Sequence, residues 1–220
     1  MGHNRHEAVE REYRHLAARY DEKWAFYVEA TVRETLRRLP PDLGDRMLDV
    51  ACGTGVFLRA VTGSHPKVKL AGVDISPEML AVAQQRLPAG VELRVASADA
   101  LPFRDDSFDI LVTTNAFHFF RVPKDVLNEM RRVLRPGGTL VVTDWCDDYL
   151  ACGICDRLLR LFSAAHHRIY GSTQCRAFLE DAGFEAIGVE HYKISWLWGL
   201  MTAIARKPPG ASRESHQYIG

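Results

Sequence analysis

The sequence predicts an α/β fold, a mostly parallel sheet with helices on both faces, closed by an antiparallel C-terminal hairpin. Three observations predict it. Between Arg46 and Trp145 short apolar runs alternate with helical patterns, which implies right-handed βαβ units around a parallel sheet. The first run, Met47–Cys52, leads into Gly53-Thr54-Gly55, where glycines let the backbone turn tightly and approach a ligand. The last two runs, Glu185–Ile194 and Leu200–Lys207, are only about five residues apart. A parallel crossover needs a dozen or more residues, so these two strands form a hairpin.

The elements follow in order. In the first forty residues Val9, Tyr13, Leu16, Ala17, Tyr20, Trp24, Tyr27, Val28, Leu36 and Leu39 recur near a 3.6 period, which predicts helix. Asp21 marks a candidate break, and Leu39-Pro40-Pro41 stops the pattern. Met47–Cys52 is the first strand, followed by a helix from about Thr54 to Val61. Val68–Ile75 is the second strand. Ser76-Pro77-Glu78 then reads as an N-cap with proline at the first helical position. Met79, Leu80, Ala83 and Leu87 form that helix's buried stripe, and Pro88-Ala89-Gly90 ends it. Val91–Ser97 is the third strand and Phe108–Phe117 the fourth. Pro123 opens a helix with a stripe at Val126, Leu127, Met130, Val133 and Leu134. Pro136-Gly137-Gly138 closes it before a fifth strand, Thr139–Trp145. Helical stretches near Ala151–His166 and Thr173–Ala182 precede the hairpin, and the tail 208–220 is expected to be mobile.

Composition bounds the function. The chain has 220 residues, 47% hydrophobic and 25% charged, enough apolar material for one domain with a sizeable core. Lys+Arg and Asp+Glu are 28 each. A nucleic-acid binder usually carries a basic excess, so no nucleic-acid partner is expected, although Arg121–Arg135 is locally basic. No apolar window is long enough for a transmembrane segment, and the N-terminus lacks a signal-peptide core. Five cysteines, an odd number, suggest reduced thiols and a cytoplasmic location.

The densest cluster is Leu48-Asp49-Val50-Ala51-Cys52-Gly53-Thr54-Gly55. A glycine turn at a helix N-terminus offers free N–H groups to an anion, but many α/β folds carry one. Asp74 lies 21 residues past Gly53, where an acid can bond ribose hydroxyls. A dinucleotide fingerprint would place Gly or Ala at position 58, and this chain has Leu58. Asp99 adds a third acid past the third strand. Three acids at three successive strand ends suit a ligand with a cationic amine, a ribose and an adenine amino group.

These residues resemble a class I S-adenosylmethionine-dependent methyltransferase, within the small-molecule branch that includes ubiquinone and menaquinone biosynthesis C-methyltransferases. Four ordered motifs carry the resemblance over about Met47–Thr143: the glycine loop above; Gly72-Val73-Asp74-Ile75-Ser76; the run from Asp99-Ala100-Leu101-Pro102-Phe103 to Ser107-Phe108-Asp109; and Leu134-Arg135-Pro136-Gly137-Gly138. The resemblance implies a Rossmann-like seven-stranded mixed sheet whose last strand is antiparallel. It divides a single domain, 1–207, into a helical cap (1–40), a cofactor-binding core (46–145), a helical substrate flank (146–184) and the closing hairpin (185–207). It implies S-adenosylmethionine as cofactor. Asp49 would lie near the methionine ammonium. The loop Ala51, Gly53, Thr54 and Gly55 would line the methionine moiety. Asp74 would hold the ribose, and Ile75 would pack on the adenine. Asp99 would accept from the adenine amino group, with the Ala100 N–H reading a ring nitrogen. Asn115 would offer its carbonyl to the ammonium, and Tyr20 would cover the carboxylate.

Methyl transfer needs in-line positioning of a nucleophile, and a base only where the acceptor holds a proton tightly. His118 is the first candidate base, because it follows the fourth strand and imidazole titrates near neutrality. It could equally pack on the cofactor or cap a helix. Asp144, ending the fifth strand beside Trp145, could orient an acceptor or act structurally. Cys152 and Cys155 form a Cys-x-x-Cys pair, but no second pair completes a four-ligand zinc site, so no metal is expected. Tyr13, Tyr20, Trp24 and Tyr27 read as a packed helix stripe or a lid on an aromatic substrate. Arg131, Arg132 and Arg135 read as a solvated helix end.

The expected function is methyl transfer from S-adenosylmethionine to a small organic acceptor, aromatic or quinone-like. RNA or protein methylation and non-catalytic cofactor binding are the alternatives. Oxidoreduction is disfavoured by Leu58 and Asp99.

Overall fold

A computed structural model describes residues 20–146, 170–195 and 198–210, with the side chains of residues 20–24 left aside. The expectations for Tyr13, for Cys152 and Cys155, for the helix near 151–166 and for the end of the tail lie outside the described residues.

Helix α1 (Tyr20–Arg38) is continuous across Asp21 and ends just before Leu39-Pro40-Pro41. The core then winds through β1 (Arg46–Val50), α2 (Val56–Ser64), β2 (Lys69–Asp74), α3 (Pro77–Arg86), β3 (Glu92–Val95) and β4 (Phe108–Thr114). A short 3₁₀ turn (Phe117–Phe119), α4 (Pro123–Val133), β5 (Leu134–Trp145), α5 (Ser172–Asp181), β6 (Glu185–Lys193) and β7 (Gly199–Arg206) follow. The seven strands run β3-β2-β1-β4-β5-β7-β6 across the sheet. The first five are mutually parallel. Strand β7 inserts between β5 and β6 and is antiparallel to both. The winding reverses between β1 and β4, so a switch-point crevice opens at their carboxyl ends.

The alternating strand residues fill two cores. On one face Leu111, Leu140 and Val142 pack under α4 and α5, with Phe117, Leu127, Met130 and Leu179 buried. On the other, Ile110, Val112, Val141 and Trp145 pack under α1 and α2, with Tyr27, Val28, Phe57 and Leu58. Each large side chain fully buried this way contributes about 1.5–3 kcal/mol. In α3 the Ser76 side chain accepts from Met79 N, the cap expected of Ser76-Pro77.

Four boundaries differ from the periodicity. The glycine turn holds residues 53–55 out of the helix, so α2 starts at Val56, with Gly55 at φ 76°. Strand β3 is shorter, because it is the sheet's edge: Arg94 and Val95 are exposed. Strand β4 stops at Thr114, because Asn115 turns to φ 56° and the 3₁₀ turn follows. Pro136-Gly137-Gly138 does not close a helix. It is a bulge inside β5, where the register against β4 shifts between Phe108 and Ile110. A Cβ on Gly138 would sit 2.8 Å from the Arg135 carbonyl and 2.9 Å from that of Asp109.

The arginines near α4 are bonded rather than simply solvated. Arg132 donates to Glu129, Asp105 and the Leu101 and Phe103 carbonyls. Arg135 lies on β5 and bonds Asp109, whose second oxygen accepts from Asp45 and Arg46 N–H. The Asp109 contacts tie the starts of β1, β4 and β5 together, at the opposite end of these strands from the crevice.

Candidate active site

The loop after β1 is shaped by three residues in the left-handed region: Ala51 (φ 61°), Gly53 (φ 52°) and Gly55 (φ 76°). That conformation is costly for a residue with a Cβ and collects at functional sites. The Cys52 N–H bonds the Val73 carbonyl at 2.9 Å, and Gly55 N–H bonds the Cys52 carbonyl at 3.0 Å. A Cβ on Gly53 would meet nothing within 4 Å, whereas one on Gly72 would meet Cys52 Sγ and Leu58 Cδ1 at 2.8 Å. Gly72 lets the loop seat on β2, and Gly53 leaves the loop's outer side open.

Asp74 fastens this loop. Its Oδ2 accepts from Gly53 N–H at 2.8 Å and its Oδ1 from Ser76 N–H at 2.9 Å. Burial raises its pKa, against the opposing pull of those N–H groups. Each carboxylate oxygen has two acceptor sites, so Asp74 keeps acceptor capacity beyond its two backbone bonds. Ile75 beside it is half-buried.

Asp49 differs. It is 1% exposed, and neither carboxylate oxygen has a hydrogen-bond partner among the described residues. Its pKa is raised well above the usual carboxylate range, first by burial and second by the Asp74 charge. An unpaired buried carboxylate is expensive and suits a site that receives a cation. Across the switch point, Asn115 also has left-handed backbone, with its N–H on the Thr143 carbonyl at 2.9 Å. Its Oδ1 is buried without a partner among the described residues.

Asp99 and Ala100 sit on an exposed turn after β3. One expectation needs correcting: the Ala100 N–H is not free to read a ring nitrogen, because it donates to the Ser97 carbonyl at 3.1 Å. Tyr20 stands at the start of the described part of α1, and its side chain lies outside the described residues.

His118 and Asp144, 26 residues apart in the sequence, meet. His118 Nδ1 lies 2.8 Å from Asp144 Oδ1 and 3.0 Å from Oδ2, and His118 N–H donates to Oδ2 at 2.9 Å. Asp144 Oδ1 also accepts from Trp145 N–H at 2.7 Å. Adjacency of β4 and β5, with Thr114 opposite Thr143, brings the two strand ends together. Sequence reasoning placed both residues at the crevice but missed the pairing, since 26 residues separate them.

It also missed an aromatic cluster. Trp145 packs edge-on against Tyr27 of α1 at 5.3 Å and Trp198 at 4.5 Å, and stacks with His118 at 5.9 Å. Tyr27 is legible from helical spacing and Trp145 as a cleft candidate ending the fifth strand; Trp198 is not. Among the described residues no group of three or more His, Cys, Asp or Glu could hold a metal ion. No described helix is long and apolar enough to cross a membrane.

The residues present fit S-adenosylmethionine. The orphaned Asp49 carboxylate suits its ammonium, the open side of Gly53 admits close approach, and Asp74 retains acceptor capacity for hydroxyls.

The family described as a methyltransferase domain matches residues 48–142. A demethylmenaquinone methyltransferase of Thermus thermophilus is 40% identical over 103 residues, 46% of this chain and 47% of that protein. The O-methyltransferase cnsE of Penicillium expansum is 32% identical over 162 residues, 71% of this chain and 58% of that protein. The chain thus spans less than two thirds of either relative. Among solved structures, a chain from the Haloferax volcanii complex of the Trm112 methyltransferase activator with its methyltransferase superposes with TM-score 0.77. The match is 22% identical and covers 90% of this chain and 98% of that one. A Haemonchus contortus phosphoethanolamine N-methyltransferase solved with S-adenosyl-L-methionine has TM-score 0.67 at 20% identity, covering 80% of this chain and 52% of that one. Residues 48–142 thus match a methyltransferase domain, and the chain is similar in sequence and fold to S-adenosylmethionine-dependent methyltransferases.

Proposed function

We propose that the protein transfers a methyl group from S-adenosylmethionine to a small organic acceptor with a planar, quinone-like or other aromatic framework, releasing S-adenosylhomocysteine. The observation that carries this is Asp49, a buried carboxylate with no partner among the described residues, set between the left-handed residues Ala51 and Asn115 at the switch point. When bound, the cofactor supplies a methyl group already activated on a sulfonium.

The chain's own residues then bind and orient. Asp49 neutralises the ammonium, assisted by the Asn115 carbonyl. The backbone of Ala51, Gly53, Thr54 and Gly55 lines the methionine moiety. Asp74 accepts from the ribose, Ile75 packs on the adenine, and Asp99 receives its amino group; Ala100 contributes shape rather than a free N–H. Tyr20 closes over the carboxylate end. His118 is the candidate base, with Asp144 behind it. The similarity to a demethylmenaquinone methyltransferase supports an aromatic framework for the acceptor. Balanced charge supports a small-molecule rather than an RNA acceptor, and an odd number of cysteines suits the reducing cytoplasm.

The test is incubation with methyl-labelled S-adenosylmethionine and a panel of phenols, hydroquinones, amines and thiols. Labelled product in mass spectrometry is expected from an aromatic member. Cofactor binding with no product across the panel would turn the reading to a non-catalytic binder.

A further inference from the structure

We propose that Glu129 and Arg132 of α4 are positioning residues for the nucleobase of the cofactor. Together they fix the loop that carries Asp99, and so set the preference for a base bearing an amino group. This rests on the methyl-transfer reading above and concerns the adenine end of the same site.

The connection from β3 to β4, residues 96–107, contains no helix or strand. It leaves the sheet beside Asp74, whose carbonyl accepts from the Ala96 N–H at 3.0 Å. A segment outside the ladder must find other partners for its backbone polar groups. Within the loop, Ala100 N–H bonds the Ser97 carbonyl at 3.1 Å, and Phe103 N–H bonds the Leu101 carbonyl at 2.8 Å. Arg94 donates to the Pro102 carbonyl at 2.7 Å. The rest of the hold comes from α4. Glu129 Oε1 accepts from Leu101 N–H at 2.8 Å. Arg132 Nη2 donates to the Leu101 carbonyl at 3.1 Å, and Nη1 to the Phe103 carbonyl at 2.9 Å and to Asp105 at 2.7 Å. Its Nε and Nη2 bond the two Glu129 oxygens at 2.8 and 2.7 Å.

Every guanidinium N–H of Arg132 is thereby engaged. Both polar backbone groups of Leu101, two residues past Asp99, end on one ion pair, while the Leu101 side chain is buried in the core. A pair that only decorated the helix would need no partner beyond itself, and an exposed pair of that kind contributes little. Here the same atoms reach a loop 28 and 31 residues away. The planar fork of arginine meets several acceptors at once, as the ammonium of lysine does not. Asp99 itself is exposed on this loop, so its carboxylate is aimed only as firmly as the backbone beneath it is held. A contact of about 2.9 Å stretched to about 3.6 Å is no longer a hydrogen bond.

The test is calorimetric titration with three ligands: S-adenosylhomocysteine, its purine analogue lacking only the amino group, and its 2′-deoxyribose analogue. The wild type should prefer S-adenosylhomocysteine to the purine analogue by about tenfold or more, the contribution of a hydrogen bond to a charged acceptor. Asp99→Ala should abolish that preference. Arg132→Lys keeps the charge without the fork, and Glu129→Gln leaves one acceptor oxygen for three donors. Each should cut the base preference to less than about threefold, while the preference for the ribose hydroxyl stays within about twofold of the wild type. Full base preference in Arg132→Lys, or parallel loss of both preferences, would overturn the proposal. So would an Asp99→Ala variant that still distinguishes the bases, or a wild type that does not. Should a variant fail to fold, amide exchange in the wild type decides. The Leu101 N–H should be protected before any ligand is added, and rapid exchange there would overturn the proposal. A wild type that binds none of the three ligands would instead defeat the methyl-transfer reading, and this proposal with it.

Discussion

Replacing Asp49 by asparagine should move stability and binding in opposite directions. The side chain is 1% exposed, and both its oxygens lack partners among the described residues. Leaving a buried charged acceptor unpaired costs about 1–3 kcal/mol or more. Asp49→Asn keeps the shape and removes the charge, so the free protein should gain about 1–3 kcal/mol. At about 2–4 °C per kcal/mol for a domain of this size, Tm should rise by several degrees. The same change removes the charge assistance to a bound ammonium, about 1.5–3 kcal/mol, or roughly 10- to 150-fold in affinity. The gain should also depend on pH. Burial and then Asp74 raise the Asp49 pKa in the folded state. Its contribution to stability is therefore complete below the ordinary carboxylate value, and is lost as pH rises through the raised one. The Tm advantage of the variant should accordingly widen from acid toward neutral pH. Thermal scans at several pH values and titration with S-adenosylhomocysteine measure both halves. A variant less stable than the wild type at pH 7, or one that binds the ligand equally well, would refute the reasoning.

Asp74→Asn leaves one acceptor for two N–H groups, those of Gly53 and Ser76; S-adenosylhomocysteine affinity should fall about tenfold or more, read by calorimetric titration. Gly72→Ala places a Cβ 2.8 Å from Cys52 Sγ and Leu58 Cδ1 and 3.0 Å from Leu93 Cδ2. It should destabilise by about 1–3 kcal/mol in denaturant unfolding, while Gly63→Ala in α2, with nothing within 4 Å of the new Cβ, should not.

The sheet was legible because its signals are local. Apolar runs such as Met47–Cys52 and Phe108–Phe117 have no other home than a buried strand, and the five-residue gap before Leu200 permits only a hairpin. Punctuation misled where tertiary contacts decide. Pro136-Gly137-Gly138 reads as a helix stop, yet the Lys207 carbonyl takes the Gly137 N–H and draws the segment into β5. The acids of the site were visible as residues following strands, but not what surrounds them. That Asp49 is orphaned while Asp74 carries two backbone bonds depends on how the loop folds back on β2. The His118–Asp144 contact is set by the register of β4 on β5, which no single segment encodes. Arg135 looked solvated because its partner, Asp109, lies on a neighbouring strand.

The central claim is that this crevice binds S-adenosylmethionine through Asp49 and Asp74. Calorimetric titration of the wild type with S-adenosylhomocysteine tests it most directly. Saturable 1:1 binding is expected, with thermal stabilisation that reaches about 2.7 kcal/mol at a ligand concentration one hundred times Kd. No binding and no change in Tm up to millimolar ligand would contradict the account.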